Sequence, residues 1–195
     1  MLPPIHLPGD DPGCAGPLMA IVPDALVPGP HVVRIVGADG GVVCEAPVTV
    51  IDSKGPMLTP RTMSLWPPNH KLHTIDVADC VAVDDACEPG LQAHFTWISS
   101  DEPIEGMGAG KRDSDIVVSA CDRVQLRAER EGGGDGRVYK LGVRVVDGAG
   151  NAAEDVCTVT VPHDKSGDGA TDSGERYRIG LDGQGSLPDC TQAEP

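Results

Sequence analysis

Leu141-Gly-Val-Arg-Val-Val-Asp147-Gly-Ala-Gly-Asn151-Ala-Ala-Glu-Asp-Val-Cys157, closing on Val159-Thr-Val161, decides how this chain is read. Alternating β-branched residues make a strand, Asp and Gly make a turn, and a Val-Cys pair leads into a returning strand. The same order occurs earlier, in His31-Val-Val-Arg-Ile-Val-Gly-Ala-Asp39-Gly-Gly-Val-Val-Cys44, which runs on to Val48-Thr-Val50. The copies lie roughly 110 residues apart, the length of one domain. The second copy has a full domain of chain in front of it, whereas the first has too little for the strands it lacks. The reading is one complete β domain, preceded by the truncated end of another and followed by a polar tail.

Composition agrees with that division. The 195 residues include 25 Gly and 18 Pro, which suits short strands joined by many turns and argues against long helices. Thirty acidic residues against 15 basic ones give a formal charge of -15. A field of that sign repels phosphate backbones, so nucleic acid is excluded as a partner, while cations are attracted. No apolar run is long enough to span a bilayer, so no membrane insertion is expected. Met1-Leu-Pro-Pro-Ile-His-Leu-Pro lacks the basic start and apolar core of a secretory signal, but the chain reads as beginning inside a domain. Seven cysteines (14, 44, 80, 87, 121, 157 and 190) in a loop-rich β chain suit an oxidising compartment, and the expected location is extracellular or the cell envelope. The odd count leaves a thiol over, and Cys44 is expected to have lost its mate. Cys80, Cys87, Cys121 and Cys157 allow three pairings.

The complete domain divides into seven short strands. These are Met63 to Trp66, Leu72 to Val83, Gln92 to Ser99, Asp115 to Ser119, Arg123 to Glu129, Val138 to Val146 and Asp155 to Val161. In the second strand Ile75, Val77, Val81 and Val83 share a face, and Asp79 breaks the register, predicting a bulge or an edge. In the third, Phe95 and Trp97 point inward and His94 outward. In the sixth, Tyr139, Leu141, Val143 and Val145 are inward. Arg127, Glu129 and Arg130, with Arg137 and Lys140, read as outward charges pairing across strands. The fold class is all-β: a seven-stranded antiparallel immunoglobulin-like β-sandwich, with an extra N-terminal β-hairpin and a disordered C-terminal tail. Residues 1–52 are the truncated end of an Ig-like repeat, 53–165 the complete sandwich and 166–195 a Gly-rich acidic tail too polar to repay ordering. Trp97 occupies the place of a third-strand core tryptophan. Asp135-Gly-Arg-Val-Tyr139-Lys-Leu141 matches a tyrosine corner with Leu141 in the usual cysteine position, which excludes the standard bridge between the second and sixth strands.

Several phrases together resemble a known family. They are Ser64-Leu-Trp-Pro-Pro-Asn-His-Lys-Leu72, Ser100-Asp-Glu-Pro103, Leu126-Arg-Ala-Glu-Arg130-Glu-Gly-Gly-Gly-Asp-Gly-Arg-Val-Tyr139 and Asp147-Gly-Ala-Gly-Asn151, ending on Val161-Pro-His-Asp164. The set is similar to hyalin-repeat and cadherin-like immunoglobulin modules of secreted and surface proteins of bacteria. Val22 to Ile35 likewise resembles the closing stretch of a bacterial Ig-like repeat. The resemblance implies an adhesion or spacer module whose partners are neighbouring Ig-like domains, other surface proteins or glycans, and no reaction. It also implies calcium as cofactor, held by Glu102, Asp147 and Asp164 with Asp101 and Asn151 beside them, since hard cations take six to eight oxygens. Asp-Gly-Ala-Gly-Asn is equally a turn on backbone grounds alone, and both readings stand.

Other constellations are weaker. His70, His73 and His94 could be drawn as a zinc site, although histidines in a Pro-Pro-Asn-His loop are ordinarily surface residues. Ser99 and Ser100 beside Asp101 and Glu102 lack a nucleophile-elbow context, and Gly108-Ala-Gly110-Lys111 lacks the span and the Ser/Thr of a phosphate loop. The chain is therefore read as a non-catalytic structural or adhesive module, with a carbohydrate-binding module as the alternative.

Overall fold

In the computed structural model the described residues are 5–6, 17–18, 27–36, 38–104, 114–164, 169–183 and 187–191. The chain forms two compact units, Met1–Lys54 and Gly55–Pro195. The Gly108-Ala-Gly110-Lys111 stretch lies outside the described residues.

In the first unit β1 (Ile5–His6) pairs antiparallel with β2 (Pro17–Leu18), and β3 (Gly29–Val36) pairs antiparallel with β4 (Val42–Val50). The β3–β4 hairpin is the expected extra N-terminal hairpin. Asp39 Oδ1 accepts from the Gly41 amide in its turn, and Gly40 takes the left-handed conformation there, which a glycine adopts without steric cost. Strand alternation places Cys44 and Ala46 in a small core with Ile35 and Val48. Cys44 is disulfide-bonded, contrary to the expectation that its mate was lost; its partner lies outside the described residues.

Among the described residues the second unit is all-β apart from a single helical turn. Its strands are β5 (Met57–Pro60), β6 (Thr62–Ser64), β7 (Leu72–Asp76), β8 (Val81–Asp84), β9 (His94–Ser100), β10 (Ile116–Ala120), β11 (Arg123–Arg127), β12 (Arg137–Val146), β13 (Ala152–Val161) and β14 (Tyr177–Gly180). One sheet has the order β10-β11-β7 and another the order β14-β9-β12-β13-β6, while β5 pairs with β8. All these pairings are antiparallel except β13 with β6. One apolar core takes residues from every sheet: Ile75, Val124 and Leu126 from the three-stranded one, Phe95, Ile98, Leu141, Val143, Val145, Val159 and Val161 from the five-stranded one, and Val81 from β8.

Four expectations change. The second strand is interrupted by α1 (Val77–Cys80), a helical turn where the sequence predicted a bulge or edge around Asp79; it hands the strand from β11 to β5. Phe95 and Trp97 do not share a face. A β-bulge intervenes, since Gly142 pairs with Trp97 and the next residue, Val143, pairs with Phe95. The extra residue, Thr96, flips the alternation, so Phe95 and Ile98 are core and Trp97 lies outside it. His94 is not outward but only 5% exposed, opposite Arg144 on β12.

The fourth concerns the tail. Residues 177–180, expected to be disordered, form β14 on the edge of β9, and Leu181 and Cys190 are fully buried in the core. The disulfides follow from this. Cys80 pairs with Cys157, and Cys121 pairs with Cys190, so the tail supplies a cysteine that the four-cysteine pairing scheme lacked, and Cys87 belongs to neither bridge. The bridges span 77 and 69 residues, and on a chain-entropy model each is worth on the order of 4 kcal/mol.

Candidate functional site

The richest polar constellation surrounds Arg137, the first residue of β12. Strand parity puts it inward, in line with Tyr139, Leu141, Val143 and Val145, and it is 3% exposed. Its Nε donates to Glu102 Oε2 at 2.9 Å and its Nη1 to Asp115 Oδ2 at 2.9 Å. The same Nη1 lies 3.0 Å from the Tyr139 hydroxyl, and Nη2 donates to the Pro103 carbonyl at 3.2 Å. Arg127, at the end of β11, brings its Nε to Asp115 Oδ1 at 3.1 Å and its Nη1 to the His70 carbonyl at 2.7 Å. The Tyr139 hydroxyl donates to the Arg127 carbonyl, closing the network as a tyrosine corner would.

Within the cluster opposite charges offset one another. Burial works against the Arg137 charge, but Tyr139, Glu102 and Asp115 outweigh it and hold the guanidinium more basic than usual. Burial likewise pushes the Tyr139 phenol up to about 12 against the pull of Arg137, so it stays a neutral donor. Both Glu102 oxygens also accept from the Glu131 amide, at 2.9 and 3.0 Å. Asp101 spends Oδ1 on the Val138 amide and Oδ2 on the Ser173 amide. These carboxylates are buried and spend their oxygens on groups of the protein itself.

Asp147 and Asn151 lie at the other end of β12, roughly 30 Å away along the strand. Asp147 Oδ1 accepts from the Ala149 and Asn151 amides and Oδ2 from the Asn151 side chain at 2.8 Å. Burial opposes its charge, yet the Asn151 and turn-backbone bonds win and hold its carboxyl below the ordinary range. Gly148 of the same turn donates to Glu88. Asp164 is exposed beyond the end of β13, near the Arg137 end. The five carboxylate and amide residues singled out from sequence are therefore split between the two ends of the domain: Asp101, Glu102 and Asp164 at one, Asp147 and Asn151 at the other.

The histidines do not converge on one point. His70 is exposed, with Nδ1 3.1 Å from Glu129, and adopts a left-handed backbone. His73 and His94 each bury an Nε2 that has no hydrogen-bond partner among the described residues. Burial and the neighbouring Arg144 lower the His94 pKa and keep its ring neutral. On the outer face of the five-stranded sheet Trp97 leans over Gly142, and the Arg178 guanidinium stacks 3.8 Å from its ring centroid.

Sequence reasoning missed Arg137, which it placed outward, and Asp115. The signal for Arg137 was present: it shares the parity of Tyr139 and Leu141. Asp115 carried none: the sequence reading made it the first residue of a strand, whereas β10 begins at Ile116 and alternation does not set the face of a residue before it. Compared with known proteins, the chain matches no family model and no curated protein.

Proposed function

We propose that the Gly55–Pro195 unit is a non-catalytic structural or adhesive module of an extracellular or cell-surface protein, built as an immunoglobulin-like β-sandwich. The sheet orders support this reading. With β5 and β6 taken as a first strand divided between the sheets, and β7 and β8 as one interrupted second strand, the strands fall into the order of a seven-stranded Ig-type sandwich, with β14 as an eighth. Two disulfides favour a non-reducing compartment, and no helix among the described residues is long and apolar enough to cross a membrane. The likeness to hyalin-repeat and cadherin-like modules, and to the end of an Ig-like repeat in the first unit, belongs to the same proposal.

One observation carries it: the carboxylates that would make a binding site are already engaged within the fold. Glu102 neutralises Arg137, Asp101 holds two backbone amides and Asp147 closes its own turn. The carbohydrate alternative has little to work with. Phe95 and Tyr139 are core, Tyr177 is half-buried and Trp97 carries Arg178, leaving Trp66 at 38% exposure. Partners are then neighbouring domains or surface proteins rather than a small ligand. Calorimetric melts of the oxidised chain in millimolar calcium and in chelator test this; they are expected to coincide. Calcium binding the folded state at 100 times its dissociation constant would add about 2.7 kcal/mol, a rise in Tm of about 10 °C, and would return these carboxylates to a metal site.

A further inference from the structure

Residues 169–183 and 187–191 run along the second unit as a strap. Thr171 donates its amide to the Asp135 carbonyl, Ser173 to Asp101, and Asp172 pairs with Lys140. Arg176 then donates to the Ser100 carbonyl, β14 pairs with β9 from Tyr177↔Ser100 to Gly180↔Trp97, and Leu181 donates to the Thr96 carbonyl. Tyr177 and Ile179 pack against the core and Leu181 enters it, an alternation that reads Tyr-x-Ile-x-Leu. Cys190 donates its amide back to the Leu181 carbonyl and closes the disulfide to Cys121.

Take the strap away and β9 becomes an open sheet edge, with the Ser100, Ile98 and Thr96 backbone groups unpaired beside the place Leu181 leaves. Such an edge accepts an extended segment of matching alternation. The two bridges differ in access. Cys80 and Cys157 are fully buried, whereas Cys121 is partly exposed and sits opposite a fully buried Cys190. Thiol–disulfide exchange needs an attacking thiolate to reach a sulfur, so only one of these two bridges is open to attack in the folded protein.

We propose that the β9 edge is a strand-acceptor site occupied in cis by residues 176–181, that the Cys121–Cys190 disulfide is its latch, and that the occupant after reduction is the same segment of a second copy of this chain. A dithiol reductant's thiolate attacks Cys121 Sγ; the bond to Cys190 breaks, and Cys190 leaves as a thiolate and takes a proton. The reductant's second thiol then displaces Cys121 Sγ, so the reductant ends as a disulfide and two electrons reside on the freed cysteines. The partner is a second copy because the segment shown to fit this edge is the chain's own. The latch keeps that segment at high effective concentration in cis, and once it opens a second copy's segment competes.

The test uses the full chain treated with a graded dithiol, followed by alkylation mapping, amide exchange and light scattering across protein concentrations. Cys121 and Cys190 should be alkylated at least tenfold faster than Cys80 and Cys157. Exchange at residues 96–100 should rise at least tenfold in dilute protein, and dimer should grow with concentration. C190S should dimerise without reductant, and C190S with Leu181→Asp should not, because its segment cannot seat in either copy. Protection at 96–100 that is unchanged with the bridge open, a monomer at every concentration, or equal alkylation of all four cysteines would overturn the proposal.

Discussion

Arg137 is a cation inside an apolar core, and that environment allows it only because Glu102 and Asp115 are held within hydrogen-bonding reach. Removing one carboxylate leaves the buried guanidinium with a single anionic partner and an unfilled hydrogen-bond donor. Glu102→Ala is expected to destabilise the domain by about 3–5 kcal/mol, measured as a fall in the denaturant midpoint with an unchanged slope; a loss under about 1 kcal/mol would place the pair at a wet surface. Asp147 acts at the opposite end and through pH. Its folded pKa lies below its unfolded value, so its contribution is fully present above about pH 4 and disappears as pH falls through the folded pKa. Asp147→Asn should flatten the acid limb of the melting curve and leave the neutral limb nearly parallel to the parent. Much of this was legible in residue types, since Asp-Gly-Ala-Gly-Asn forms the turn that its backbone preferences suggest. What lay hidden was the pairing of Glu102, because the partners of its side chain, Glu131 and Arg137, stand 29 and 35 residues away in sequence and loop carboxylates look alike before folding.

At the scale of elements, the strand runs were readable because period-2 alternation survives in β11, β12 and β13, where one face is core. β9 was not readable in register. A bulge costs one residue and leaves no compositional mark, so Phe95 and Trp97 look equivalent until Thr96 is seen to interrupt the ladder. The bulge explains Gly142. A Cβ there would lie 2.0 Å from the Trp97 indole nitrogen, so the ring rests directly on the strand. Gly142→Ala should displace the indole, cost about 1–3 kcal/mol and shift Trp97 fluorescence; an unperturbed spectrum would mean that the ring is free to move aside. The C-terminal segment was misread for a physical reason too. Its Gly, Ser and Asp content argues against autonomous order, but the segment needs only three inward side chains, Tyr177, Ile179 and Leu181, and a waiting edge.

For the whole molecule, the covalent frame is what distinguishes the account from that of a simple sandwich. That the chain would carry disulfides was legible in its cysteine count, whereas their connectivity was not, because the pairing depended on a strap that composition assigned to disorder. The Cys80–Cys157 bridge encloses 77 residues of backbone, and force entering near Gly55 and leaving through the strap passes across it. A unit framed in this way yields only its uncrosslinked chain under load. The most direct measurement is single-molecule extension of the full chain, oxidised and then fully reduced. The oxidised second unit should unfold with a contour gain about 270 Å shorter than the reduced one, at roughly 3.5 Å per residue, and with a resolved force peak. Equal gains in the two states, or extension without a peak, would contradict a disulfide-framed structural role.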